Sequence, residues 1–358
     1  MDLATCPASP ALLGRVPGPT IDWLTDAENP AVAVLVRRGL LGQPPSQELD
    51  AIWARRNEYA PVARILDLMQ PDGSWAPPAR DYQKYWGSLW QIHFLGELYA
   101  SGDDERVQAA AAYAFSRQLP DGSWSCTNGR PAGSIPCLTV NVGRALARLG
   151  LARDERVVAA LRYCVDLHGE LGCVDCRGGP GFHLNGYCHM LTPKTLLFLA
   201  EVPDDLWPDG AEDLRDACIT ALRDKEVFRS LPAEARAFQD AVFSMPAAEQ
   251  KGFRERFLVE HQPLHYGPKP GWLRFGYPLS YNSDVLEALW ALALHGESRR
   301  PEYEPALETV ESAADAQMRW VLRTSFNGKM LADVEAKGQP SRWLTWRALA
   351  VLSRFGAG

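Results

Sequence analysis

Apolar and polar positions along the chain alternate between two kinds of stretch. Residues 51–69 and 107–117 show apolar positions at helical spacing with charged residues between them, the pattern of an amphipathic helix with one face in solvent. Each is followed by a stretch apolar nearly all round, at residues 87–99 and 138–149, which predicts a helix buried on every side. Residues 284–294 and 343–355 read as further inner helices, the second preceded by the outer stretch 307–322. Residues 21–57 predict two more helices that close the first repeat. Residues 207–271 have a different, charged texture and predict a helical insertion capping one end of the ring.

Between outer and inner stretches stands a recurring turn. Gln70-Pro-Asp-Gly-Ser-Trp75 returns, with one inserted Leu, as Gln118-Leu-Pro-Asp-Gly-Ser-Trp124, and the two tryptophans are 49 residues apart. A period of roughly 40–50 residues signals a repeat architecture. A third copy is worn but in step, since Arg106-Val-Gln-Ala-Ala and Arg156-Val-Val-Ala-Ala are 50 residues apart. Pro fixes φ and Gly supplies φ > 0, so Pro-Asp-Gly is turn chemistry. The Gln amide is expected to bond orphan backbone groups at a helix end while the Trp packs across the turn.

The pattern Leu66-x3-Gln70-x2-Gly73-x-Trp75 resembles the QW motif of the squalene cyclase and protein prenyltransferase superfamily. The stretches Trp272-Leu-Arg-Phe-Gly-Tyr-Pro and Gly338-Gln-Pro-Ser-Arg-Trp-Leu-Thr-Trp-Arg resemble a bacterial, terpenoid-cyclase-like branch of it. The resemblance implies an all-α fold, an α/α toroid of five to six helical hairpins over residues 61–358, and an enzyme acting on an isoprenoid or other apolar substrate. It does not bring the acidic motifs of either terpene cyclase class: Asp-x-Asp-Asp, Asp-Cys-Thr and Asp-Asp-x-x-Asp are all missing from the sequence.

Eight cysteines enter at this point, and four of them follow the repeat. Cys126 and Cys176 are 50 residues apart in successive turns, and Cys137 and Cys188 are 51 apart at successive inner-helix starts. Four thiolates at about 2.3 Å would make a closed, tetrahedral, structural zinc site. An iron–sulfur cluster is the alternative with the same ligands. Cys173, His183 and His189 are alternate ligands, and four small core residues with no metal is the other reading. The adjacent Cys188-His189 pair resembles the zinc pair of lanthionine cyclases, which implies a peptide-modifying zinc enzyme as a further alternative.

By repeat register, the inner-helix starts that would line a cavity mouth carry Trp86, Trp90, His93, Tyr187, Tyr277, Trp343 and Trp346, the candidate substrate-binding residues. Aromatic faces stabilise cations, which suits carbocation chemistry, though packed core is the competing reading. The candidate catalytic residues are Asp284, Tyr281 and His189. As a helix N-cap, Asp284 would stay ionised; burial against Tyr and Trp would raise its pKa instead. Lys194 reads as a solvated or snorkelling lysine, and Arg342 and Arg347 as surface charge.

Composition alters this picture little. Hydrophobic content of 46% is that of an ordinary globular chain. A net charge of −7 without a basic block argues against a nucleic-acid partner. The start lacks the pattern of a signal peptide, and no run of 18 apolar residues occurs, so a cytoplasmic protein without a transmembrane segment is expected. A non-catalytic toroid that binds a hydrophobic ligand or a protein partner is the alternative to the enzyme.

Overall fold

The computed structural model describes residues 7–125, 134–171, 188–230, 233–261 and 267–356. In chain order the helices are α1 (Pro10–Arg15), α2 (Gly18–Thr25), α3 (Pro30–Leu35), α4 (Gln47–Ala54), α5 (Ala60–Asp67), α6 (Ser88–Glu97), α7 (Glu105–Ser116) and α8 (Pro136–Leu146). They continue with α9 (Glu155–Leu171), α10 (Leu191–Glu201), α11 (Ala211–Arg223), α12 (Ala233–Phe243), α13 (Ala247–Glu260), α14 (Val285–Leu294), α15 (Glu304–Ser312) and α16 (Arg342–Arg354). The only paired strands among the described residues are the two-residue β1 (Arg229–Ser230) and β2 (Gly267–Pro268), antiparallel to each other.

The inner helices form a ring. α6 packs on α8, α8 on α10, α10 on α14, α14 on α16, and α16 on α3. The gap between α3 and α6 is bridged by the turn Arg55–Glu58: it packs on α3, and its Arg56 Nε donates to the carbonyl of Tyr99, just past α6, at 2.8 Å. Outside lie α2, α5, α7, α9, α11 and α15, each against an inner neighbour. The fold is thus the all-α toroid of helical hairpins. All ten residues of α6 are buried, including Gln91, His93 and Glu97, as a helix apolar on every side requires.

The recurring Trp is a two-point clamp. Trp75 Nε1 donates to Ile65 O at 2.6 Å, Trp124 Nε1 to Ala114 O at 2.8 Å, and Trp320 Nε1 to Val310 O at 2.7 Å. Each acceptor is a carbonyl in the last turn of an outer helix, where the regular i+4 partner is missing, and each also takes the N–H three residues on. The backbone N–H of each Trp donates to a hydroxyl of the following inner helix: Ser88, Thr139 and Thr345, at 3.0, 3.1 and 3.0 Å. The third copy, Asp315-Ala-Gln-Met-Arg-Trp320, is hidden in sequence because Met318 (φ 55°) stands where the others have glycine. Gln118 does tie backbone groups, donating to Gly122 O and to Arg156 O at the start of α9, both at 2.8 Å.

Two departures from the sequence reading are physical. Residues 207–271 are not all excursion: α11 packs on α9 and α10 as an outer helix. The excursion proper is the α12–α13 hairpin between the strands, with its own small core of Phe238, Val242 and Phe257. The repeat register also slips. Thr139 and Thr192 each bond the carbonyl four residues back, that of Ile135 and that of Cys188 (3.1 and 2.8 Å). Cys137 is the second residue of α8, whereas Cys188 stands three residues ahead of α10, because α9 has 17 residues where α7 has 12.

Gly73 and Gly122 need to be glycine twice over. Their φ values are 84° and 86°, and a Cβ would sit 2.3 Å from Ala109 O on α7 and 2.4 Å from Ala159 O on α9. The turn of one repeat thus presses on the outer helix of the next. Gly150, at φ 95°, has nothing within 4 Å of the same position. Gly122→Ala should therefore cost clearly more stability than Gly150→Ala, which pays for backbone strain alone, about 1 kcal/mol or somewhat more. Urea midpoints that fall equally for the two variants would contradict the inter-repeat contact.

Candidate functional site

The inner helices turn charges, not aromatic faces alone, toward the ring axis. Glu97 ends α6, Arg144 and Arg148 are one turn apart at the end of α8, Glu201 ends α10, and Arg347 lies in α16. Their side chains are all about 1–2% exposed. Glu97 meets Arg144 at 2.6 Å, Arg148 at 3.4 Å and Arg347 at 3.6 Å, while Arg148 also meets Glu201 at 2.5 Å. A second buried pair joins Lys194 of α10 to Glu287 of α14 at 3.0 Å, with Ser283 Oγ donating to Glu287 at 2.6 Å. Lys194 and Arg347 are therefore core residues, contrary to the solvated and surface readings. Apolar helices have no other place for a charge than a paired one. Burial alone would push the Glu97 carboxyl up, but the Arg144, Arg148 and Arg347 guanidinium groups together hold it well below the usual carboxylate range.

The segment 276–284 fills the axis from the end where the inner helices start. Tyr277, Leu279, Ser280, Ser283 and Asp284 are all buried. Tyr277 donates its hydroxyl to Glu97 O and stacks on Trp343, with ring centroids 4.7 Å apart. Leu279 O faces His93 Nε2 at 2.6 Å, and Ser280 O accepts from Asn141 at 3.2 Å. A carbonyl only accepts, so His93 carries its proton on Nε2. Burial lowers its pKa to about 4 against the pull of Glu97, which keeps it neutral.

Asp284 is the N-cap of α14. Oδ1 accepts the Glu287 N–H at 2.8 Å and Oδ2 the Gly276 N–H at 2.9 Å. Burial, then the neighbouring Glu287 charge, raises its pKa to about 7 despite those bonds and Arg347. Asp284 is thus an N-cap whose burial outweighs the bonds that favour its charge. Tyr281 is half-buried, its hydroxyl 3.4 Å from that of Tyr85 and its ring under Lys84 Nζ at 4.2 Å. His189 is buried with its ring centroid 4.0 Å from that of Trp272.

A cavity of about 430 Å³ opens at the opposite end, where the inner helices finish. Its wall includes Gly39 and Leu40 after α3, Leu199, Ala200, Val202, Pro203 and Asp204 at and after α10, Leu294 and His295 at the end of α14, and Ala350 and Arg354 of α16. Its aromatic side chains are Tyr99, Trp207, Trp290 and Trp346. Of the predicted lining residues, Trp346 is in this wall. Trp90, His93, Tyr277 and Trp343 are packed in the core instead, and half-buried Trp86 lies at the other end of α6 beside Arg80. The expectation of a mouth at the inner-helix starts is corrected for these residues, because segment 276–284 occupies the axis there. Sequence reasoning missed Tyr99, Trp207, Trp290 and His295, and it missed Glu97 as the centre of the ion network. The signal for the network was present: Glu97, Arg144, Arg148 and Glu201 interrupt otherwise apolar stretches.

Tyr187, Cys126 and Cys176, like Cys173 and His183, lie outside the described residues. Cys137 is half-buried and Cys188 buried. Among the described residues no group of three or more His, Cys, Asp or Glu side chains is placed to hold a metal ion. Nor is any described helix long and apolar enough to cross a membrane.

The Asp284 shift has a defined sign. Its folded pKa of about 7 exceeds the ordinary 3.8, so the folded state holds this proton while the unfolded state releases it. The contribution of Asp284 to stability is thus greatest below about pH 4, falls as pH rises to about 7, and is level above that. The advantage of the wild type over Asp284→Asn should shrink across this window in urea titrations. An advantage that grows with pH would contradict the buried, proton-holding carboxyl.

No family model matches the chain, and no curated protein matches it in sequence. Among solved structures it is similar to the type II terpene cyclase MstE from Scytonema in complex with geranylgeranyl dihydroxybenzoate, at 15% identity and a TM-score of 0.33, over 85% of this chain and 97% of that one. It is likewise similar to MstE in complex with merosterolic acid A, at 14% identity and a TM-score of 0.34, over 84% and 96%.

Proposed function

We propose that this toroid takes an isoprenoid or comparable elongated apolar substrate into the cavity at the inner-helix ends and acts on it as a terpenoid-cyclase-like or prenyltransferase-like enzyme. The observation that carries the reading is the wall itself, three tryptophans and a tyrosine around about 430 Å³. That volume falls within the roughly 300–1,000 Å³ of small-molecule sites. A second reading, a binding protein without catalysis, is favoured by one feature: Asp284 does not line this cavity, and both its oxygens already hold backbone N–H groups. Zinc held by Cys126, Cys137, Cys176 and Cys188 belongs to the first reading as a structural brace. It is supported by cysteine spacing, and elemental analysis of the purified protein tests it.

The test of substrate class is tryptophan fluorescence during titration with an isoprenoid hydrocarbon such as farnesene. Saturable quenching is expected, weakened about tenfold or more by Trp207→Ala, the loss of one aromatic anchor. An absence of binding to the wild type would end both readings. Mass analysis after incubation with isoprenoid substrates separates them, since a new product supports the enzyme and unchanged substrate the binding protein.

A further inference from the structure

Resting on the cavity assignment above, we infer that the head of the ligand is a neutral hydrogen-bond donor, a hydroxyl, received by His295 Nδ1, and is neither a diphosphate nor an amine.

His295 follows α14 and belongs to the cavity wall. Its Nε2 lies 2.7 Å from Leu196 O. Because a carbonyl cannot donate, the ring proton sits on Nε2 and the proton-free nitrogen is Nδ1. Nδ1 has no hydrogen-bond partner among the described residues, so it presents a lone pair and nothing else. Burial lowers the pKa of the ring, opposed by the bond to Leu196, which keeps it neutral. The groups facing the ring are Arg215, Asp216, Glu297 and the Trp207 indole, whose centroid is 6.4 Å away.

The wall disfavours an anion. Its charged residues are Asp204 and Glu212 against Arg215 and Arg354, an even balance, and Arg215 Nε is already engaged by Asp216 at 2.8 Å. The wall also gathers the ends of α10, α14 and α16, and a helix C-terminus carries partial negative charge. A diphosphate would meet that charge with no surplus cation to offset it. The wall disfavours an amine as well, because three of its four aromatic rings already hold guanidinium groups. Arg148 lies over Tyr99 at 4.6 Å, Arg354 over Trp290 at 5.5 Å and Arg215 over Trp207 at 5.8 Å. A hydroxyl needs only an acceptor and does not disturb this balance.

Four probes of one chain length test the inference on the full-length protein: farnesene, farnesol, farnesylamine and farnesyl diphosphate, titrated by tryptophan quenching. Farnesol is expected to bind tightest, about three- to tenfold tighter than farnesene, the size of one hydrogen bond between neutral groups. His295→Phe should erase that preference, so that farnesol binds no tighter than farnesene. His295→Gln should keep the preference, because its amide can both donate to Leu196 O and accept from the ligand. Equal binding of farnesol and farnesene to the wild type overturns the inference but leaves the cavity assignment standing, as does tighter binding of the diphosphate or the amine. If none of the four binds, both are overturned. The wild-type series decides the matter even if the Phe variant does not fold.

Discussion

One buried carboxylate sets the terms for this ring. Glu97 ends one inner helix and is reached by guanidinium groups from two others, Arg144 and Arg148 on α8 and Arg347 on α16. Arg148 passes the chain of pairs on to Glu201 at the end of α10. Four inner helices are thus tied at the axis by charges that have left water. Such a network is costly to assemble and still costlier to break, because each remaining partner would be a bare buried ion. The Trp clamps fix each hairpin locally, while the ion network fixes hairpins to one another across the ring.

The same interaction decides where a ligand can go. Paired charges and buried residues of segment 276–284 lie between the inner helices, and Tyr277 reaches Glu97 itself from that segment. The open volume is displaced to the helix ends, where Tyr99, Trp207, Trp290 and Trp346 surround it. The cavity therefore lies on the negative side of several helix dipoles, with one neutral imidazole and an even count of acids and guanidinium groups. These surroundings favour an apolar body and constrain the head more tightly than the aromatic count does.

The ring was legible in the sequence because its signals are local. Alternating amphipathic and all-apolar stretches gave the outer and inner helices, and Gln-Pro-Asp-Gly-Ser-Trp gave the turns. Trp320 was not legible, because the bonds that define the clamp run to a backbone carbonyl and to a hydroxyl of the next helix, and neither needs the Gly or Ser of the turn. Met318 can hold the positive φ where glycine stands elsewhere. The aromatic candidates were half legible. Their burial and helix were correctly implied, but whether a Trp meets a cavity or a neighbour depends on segment 276–284, whose inward path has no local sequence signature. Lys194 and Arg347 were read as solvent-facing on residue type, and only the positions of Glu287 and Glu97 on other helices show why they are inside. The cysteine spacing is periodic in sequence, but Cys137 lies inside α8 and Cys188 ahead of α10, because the outer helices before them differ in length.

The most direct measurement of the central claim is urea unfolding of Glu97→Gln beside Arg153→Ala. The Gln side chain keeps the shape and removes the charge that three guanidinium groups share, whereas Arg153 pairs with Asp205 in solvent. Loss of the buried charge should cost about 3–5 kcal/mol. Loss of the exposed pair should cost less than about 1 kcal/mol. A Glu97→Gln variant as stable as the wild type would contradict the account.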